Sequence, residues 1–275
     1  MTNAWIVMLF TVFVWWLSTG AILVLVKTAD HDGGNAHRKV VLWSVPVLLA
    51  SMVLLWWSLQ SFTVLSAYGA FMGALGLWGW FELAFLAGVI TGPNVCPCPP
   101  GIPSWERFVR AWGTIAYSEL ALAISLAVLV VVSWNAPNQV GMLTFVVLFF
   151  ARISAKLNVY LGVPNINVEF LPLPVRHLAS HFRIAPINWF FPFSITALSF
   201  ASACFLERAY WQSAGSAELV GFVLLATLTG LALLEHWLMV LPIPDAKLWR
   251  WMIPQTKGRV PSTKKSLSRE TAHGL

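Results

Sequence analysis

Charge is what this chain has least of. Only 10% of its residues are Asp, Glu, Lys or Arg, against about 25% in ordinary soluble domains, while 58% are hydrophobic. Too few charges remain to clothe a water-facing surface, which excludes a conventional soluble domain and assigns the chain to a bilayer. Cysteine is scarce as well. With only Cys96, Cys98 and Cys204, a disulfide scaffold is excluded and no disulfide is expected. Catalytic signatures are missing: the chain has no phosphate-cradling glycine loop, no HExxH, no GxSxG and no internal repeat of the transporter kind. It is therefore expected not to be an enzyme.

What is present is apolar length. Seven runs can cross about 30 Å of hydrocarbon, at about 4–26, 41–59, 64–90, 112–134, 139–161, 187–206 and 218–241. None alternates like a barrel strand, so the expected fold is all-α, a polytopic membrane protein of about seven transmembrane helices. Met1 to Asn3 carries no positive charge, so the first run is expected to be a retained helix and not a cleaved signal. Residues 1–253 then form one transmembrane domain, and the Lys-, Arg- and Ser-rich stretch 254–275 is expected to be a disordered cytoplasmic tail.

Orientation follows from the basic residues. Lys27, Arg38 and Lys39, then Arg107 and Arg110, then Arg176 and Arg183, and finally the tail with Lys247 and Arg250 all fall on one side of such a bundle. The opposite side holds only Arg208. Positive residues stay inside, so the N-terminus is expected in the periplasm and the C-terminus in the cytoplasm. A formal net charge of +6 then reports this asymmetry and attraction to lipid headgroups, not nucleic acid.

Against this background two charges stand out. Arg152 and Lys156 lie four residues apart within an apolar run, on one helical face, where a lipid-facing charge costs about 3 kcal/mol. Glu82, Glu119, Glu235 and His236 fall at comparable depth in the cytoplasmic half, with Asn158 in the same stretch as the two cations. This set is the candidate site. One reading makes it glue between helices, with Lys156 and Glu235 reaching for the interface. The other makes it a polar pocket open to the cytoplasm and binding a ligand, a proton or a pigment group.

Single features are weaker. His236 is a candidate pigment ligand, since imidazole binds haem iron and could equally reach a chlorophyll-type magnesium. His177 and His181 share a face in Val175–Ala185, whose Val175, Leu178, Ala179 and Phe182 suggest a short helix lying on the interface. Cys96-Pro97-Cys98 lacks further ligands, so no metal is expected there. Gly69, Gly73 and Gly76 form a small-residue stripe suited to close helix contact. Many of the sixteen Trp residues mark run ends as interfacial anchors, but Trp15, Trp16, Trp78 and Trp80 lie inside runs.

The loops add a resemblance. Gly92-Pro93, Cys98-Pro99-Pro100-Gly101, Ser118-Glu119-Leu120 and Ala136-Pro137-Asn138-Gln139-Val140-Gly141 occur in order. They are followed by Ala151-Arg152-Ile153-Ser154-Ala155-Lys156-Leu157-Asn158, Leu161-Gly162-Val163-Pro164-Asn165 and Glu169-Phe170-Leu171-Pro172. These strings resemble the PuhE-type photosynthetic complex assembly proteins of purple phototrophic bacteria. The match is strongest over roughly residues 80–200.

That resemblance implies a non-enzymatic assembly factor in the bacterial inner (intracytoplasmic) membrane, encoded beside the gene for the reaction-centre H subunit. It implies reaction-centre and core light-harvesting subunits, or other assembly factors, as partners, and an effect on bacteriochlorophyll supply or insertion. Bacteriochlorophyll or a precursor is the cofactor it would suggest. No catalytic residue is carried over with it. The alternative is a transporter or tetrapyrrole-pigment carrier whose pocket is lined by Glu82, Glu119, Arg152, Lys156 and His236.

Overall fold

The computed structural model describes residues 2–242. The expected basic tail at 254–275 lies outside the described residues. Eight α-helices are present among those described: α1 Ala4–Asp32, α2 Ala36–Trp43, α3 Val45–Ser58, α4 Val64–Leu86, α5 Ser104–Ser133, α6 Val140–Leu161, α7 Phe191–Tyr210 and α8 Ala217–Leu238. Two 3₁₀ segments, Val168–Phe170 and Leu173–His181, lie between α6 and α7. No strand occurs among the described residues, only an isolated bridge between Val163 and Ile184.

Six stretches are long and apolar enough to cross a membrane: α1, the α2–α3 pair taken together as Ala36–Ser58, α4, α5, α6 and α8. The seventh run forms α7, a helix of 20 residues that is not among the six. Its Ser194, Thr196, Ser199, Ser202, Glu207 and Arg208 dilute the apolar character that the other six keep.

Helix ends are set by local chemistry. Asn3 caps α1 by accepting the Trp5 N–H at 2.9 Å, and Thr63 and Ser66 form a reciprocal capping box at the start of α4. Gly33 and Gly34 both take positive φ, 67° and 55°, which turns the chain between α1 and α2 where an L side chain would be strained.

Helix α4 is the centre of the bundle. Its Ala67, Ala70, Phe71 and Leu75 pack with Val7 of α1, Val140 and Val147 of α6, and Val220, Leu224 and Leu228 of α8. Its glycine stripe receives α3 of the same chain. A Cβ on Gly69 would lie 2.9 Å from the Trp57 ring, and one on Gly73 would lie 2.9 Å from Leu55 Cγ and 3.0 Å from the Ser51 carbonyl. Glycine therefore permits the close approach.

Of the Trp residues inside runs, Trp78 is a core residue, edge-on to Phe145 with ring centroids 5.3 Å apart. Trp5, Trp43, Trp134 and Trp189 near helix ends are exposed, as interfacial anchors are.

The loops before α5 and after α6 fold over one end of the bundle. Lys27 Nζ donates to the carbonyls of Glu169 and Leu171, each at 3.2 Å, and Asp30 Oδ1 accepts the Leu173 N–H at 2.9 Å. Arg107 donates to the carbonyls of Tyr160 and His181, both at 2.9 Å. Leu173–His181 is thereby tied to α1, α5 and α6. Its apolar side, Val175 and Leu178, packs on Phe85 and Ile115. The stripe expected to face the membrane interface faces protein instead, because the 3₁₀ turn lays it against α4 and α5.

Candidate functional site

Arg152 and Lys156 occupy successive turns of α6 and project between α4 and α5. Arg152 forms an ion pair with Glu82 of α4 through Nη1. Its Nε also lies 3.1 Å from Glu119 Oε1 of α5, and Nη2 donates to Ser118 Oγ at 3.4 Å. Lys156 Nζ reaches the same Glu119 Oε1 at 2.5 Å. Two cations thus meet two carboxylates across three helices, and the charges balance. Desolvation makes such a cluster costly unless it is paired, and pairing is what this geometry supplies.

Aromatic faces complete the enclosure. The Arg152 guanidinium carbon lies 5.0 Å from the Phe85 ring centroid and 5.7 Å from that of Trp78. Lys156 Nζ lies 4.5 Å from the Phe85 centroid. These contacts place both cations against ring quadrupoles and away from hydrocarbon chains.

One acceptor is left over. Glu119 is 4% exposed, its Oε1 takes both cations, and its Oε2 is buried without a hydrogen-bond partner. Orphaned buried acceptors are uncommon, and each calls for a physical explanation.

The remaining expected site residues separate into other environments. Asn158 is fully buried and donates to Ser194 Oγ at 2.8 Å and to the Ser154 carbonyl at 2.9 Å. It accepts from Asn188 Nδ2 at 3.1 Å. Asn158 therefore belongs to a junction between α6 and the start of α7, not to the ion cluster. His236 is also buried, with Nδ1 2.8 Å from the Ala232 carbonyl and Nε2 2.9 Å from Ser154 Oγ. The carbonyl requires Nδ1 to donate, so Nε2 accepts from the serine hydroxyl. Both ring nitrogens are engaged, which leaves His236 no free nitrogen for a pigment metal. Glu235, one residue earlier, hydrogen-bonds Trp15 instead.

Two cavities flank the cluster. One, about 310 Å³, lies among α1, α4, α6 and α8 and is lined by Trp15, Trp78, Glu82, Arg152 and Glu235. The other, about 300 Å³, lies among α4, α5, α6 and the Leu173–His181 segment and is lined by Phe85, Trp112, Glu119, Lys156, Tyr160 and His181. The ion pairs form the partition between them.

His181 is 2% exposed. Burial holds its imidazole below the ordinary histidine range; a hydrogen bond to the His177 backbone opposes this in part, while the charges of His177, Arg107 and Arg110 act in the same direction as burial. Its Nδ1 is 3.3 Å from Ser180 Oγ, whose own proton goes to the His177 carbonyl at 2.7 Å. Ser180 must then accept from Nδ1–H, and Nε2 carries the lone pair. Nε2 is buried without a partner.

The cavities do not fit a bacteriochlorophyll enclosed within the bundle. Volumes of about 300 Å³ stand at the lower end of ligand pockets and suit a single ring, not a macrocycle. Cys96, Cys98 and Cys204 are free thiols. Among the described residues no group of three or more His, Cys, Asp or Glu side chains is placed to hold a metal ion.

Sequence reasoning missed Trp15, Ser154, Asn188 and the cavity position of His181. The His177–His181 spacing was a visible signal for the last. Its destination depended on the fold-back of the segment that carries it.

The arrangement defines a polytopic helical membrane protein with a paired charge cluster between two small cavities. Residues 1–259 match the family described as protein of unknown function DUF3623, and the chain belongs to that family. It is 50% identical over 257 residues to an uncharacterised 30.4 kDa protein in the puhA 5′ region of Rhodobacter capsulatus. The alignment covers 94% of this chain and 93% of that relative. No solved structure matches.

Proposed function

We propose that the protein is a non-enzymatic assembly factor for the bacterial photosynthetic reaction centre and its core light-harvesting complex. The observation that carries this reading is the 50% identity, over nearly the whole chain, to a protein of the puhA 5′ region. It agrees with the resemblance to PuhE-type proteins, whose genes neighbour that of the reaction-centre H subunit. In this reading α7 completes a seven-span bundle in the inner (intracytoplasmic) membrane, with the N-terminus periplasmic and the C-terminus cytoplasmic. The distribution of Lys and Arg supports that orientation. The ion cluster holds α4, α5 and α6 together, while the outer helix faces and cytoplasmic loops meet reaction-centre and core-antenna subunits or other assembly factors, affecting bacteriochlorophyll supply or insertion.

Deleting the gene tests the reading. Reaction-centre and core-antenna absorbance should fall in phototrophically induced cells and return on complementation. Unchanged membrane spectra in the deletion strain contradict it.

A second reading, a transporter or pigment carrier, draws support from the cavities on either side of the ion cluster. Their volumes favour a cargo smaller than a tetrapyrrole. Substrate flux in proteoliposomes, or a chromophore retained through purification, distinguishes it from the first.

A further inference from the structure

The cavity among α1, α4, α6 and α8 is walled by one face of each helix. Leu75, Glu82 and Leu86 follow one another at helical spacing on α4, as do Leu228, Ala232 and Glu235 on α8, so each carboxylate belongs to a face that the cavity touches. Both carboxylates can be reached. The Glu82 side chain is 21% exposed, against 4% for that of Glu119, and Glu235 is exposed as well.

Formal charge does not balance on this side of the ion cluster. Arg152 and Lys156 cancel Glu82 and Glu119. Among the described residues no cation is paired with Glu235, whose side chain takes a hydrogen bond from Trp15 instead. A carboxylate within a candidate span and without a counter-charge is costly, and such a residue marks a functional site more often than a packing site.

We propose that this cavity binds a compact lipophilic amine, held through an ammonium that donates to Glu235, with Glu82 as a further accessible acceptor on the α4 wall. Whether the amine arrives protonated or takes the proton of Glu235 on entry, the bound pair is the same ammonium carboxylate. Three features select this chemistry. A carboxylate or phosphate end group would add like charge beside Glu82 and Glu235, while Arg152, the cation on the wall, is already engaged by Glu82 and Glu119. A hard metal cation takes about six oxygen ligands, and among the described residues no group of three or more His, Cys, Asp or Glu is placed to hold one. An amine needs fewer acceptors and brings an apolar body, for which the Trp15 and Trp78 rings and the aliphatic lining form a wall.

A volume of about 310 Å³ admits a single ring on a short arm. Two sources carry a primary ammonium to the membrane, a free amine and the headgroup of an ethanolamine lipid, and the test separates them.

The full chain is placed in phosphatidylcholine nanodiscs, whose quaternary headgroups carry no N–H, with radiolabelled 2-phenylethylamine as probe and empty nanodiscs as control. Saturable retention of about one amine per chain is expected. The analogues 2-phenylethanol and 3-phenylpropionate keep the ring but lack the ammonium, and should bind at least about tenfold more weakly. Glu235→Gln, which keeps an acceptor for Trp15, should lose the same factor. Leu23→Trp should block the amine by filling the cavity with both carboxylates in place, and it serves if the glutamine variant is not monodisperse. Phosphatidylethanolamine added to the nanodiscs competes with the probe if the lipid headgroup is the source and leaves retention unchanged if a free amine is. The proposal is overturned by retention no greater than in empty nanodiscs, by equal or tighter binding of the alcohol or the carboxylate, or by retention unchanged in Glu235→Gln or in Leu23→Trp.

Discussion

Lys156 Nζ lies 2.5 Å from Glu119 Oε1, the same oxygen that faces Arg152 Nε at 3.1 Å. A single carboxylate oxygen thus receives cations from two successive turns of α6, while Glu82 takes the other side of the guanidinium. Arg152 is the shared member. Among the described residues of the cluster, it is the one ion-paired with both α4 and α5.

Removing it should therefore leave Glu82 unpaired and Glu119 held by Lys156 alone. Arg152→Ala is expected to cost about 3–5 kcal/mol, the usual penalty for breaking a buried pair, and to reduce folded protein in the membrane. Adding Glu82→Gln or Glu119→Gln should recover part of that loss in each case. Double-mutant cycles on unfolding in detergent measure the coupling. Strict additivity against both carboxylates would contradict the shared pairing.

The two cations were legible in the sequence because charge within an apolar run must be compensated. Their depth, and that of Glu82 and Glu119, followed from position along helices with a fixed rise. The two sharing carboxylates lie on different helices, and no spacing rule reports how α4 and α5 rotate about α6. His236 shows the opposite limit. Its depth suggested a ligand, yet its partner is Ser154 on another helix, a contact that depends on side-chain direction after packing. Six of the expected apolar runs lie in stretches long and apolar enough to span, whereas the polar residues distributed around α7 dilute its signal. The Leu173–His181 segment read as interfacial because its apolar stripe is real, but Lys27, Asp30 and Arg107 tether it so that the stripe meets protein.

The glycine stripe on α4 gives a steric prediction. Gly73→Ala should destabilise by about 1–3 kcal/mol, since its Cβ would meet Leu55 Cγ at 2.9 Å and the Ser51 backbone carbonyl at 3.0 Å. Gly79→Ala should be nearly neutral, because the nearest atom it would meet is Ile22 Cδ1 at 3.6 Å. Thermal unfolding followed by size-exclusion chromatography compares the two. Equal midpoints would argue against tight α3–α4 packing.

Asn188 joins three structural groups. It donates to the Gly162 carbonyl at 2.8 Å and to Asn158 Oδ1 at 3.1 Å, and its Oδ1 accepts the N–H groups of Phe190 and Phe191 at 2.9 and 3.0 Å. Asn188→Ala should cost about 1–3 kcal/mol by orphaning buried partners and should increase proteolysis between α6 and α7. A cleavage pattern identical to that of the unaltered protein would remove Asn188 from this role.

Acid should loosen the segment over the cavity beside Lys156. Burial holds His181 and His177 below the ordinary histidine range, so each binds its proton more readily when unfolded. Their contribution to stability is present above the unfolded value of about 6.5 and is lost as pH falls through the lower folded values. Hydrogen–deuterium exchange, corrected for its intrinsic pH dependence, should show weaker protection across 173–182 at pH 5 than at pH 7.5. Unchanged protection would contradict the neutral, buried imidazoles.

Affinity purification of the tagged protein from mildly solubilised, pigmented membranes of its native host tests the assembly role most directly. Reaction-centre and core-antenna subunits, or other assembly factors for them, should co-elute and be enriched over an untagged control during pigment induction. Recovery of the intact protein with no photosynthetic subunit enriched would contradict the role.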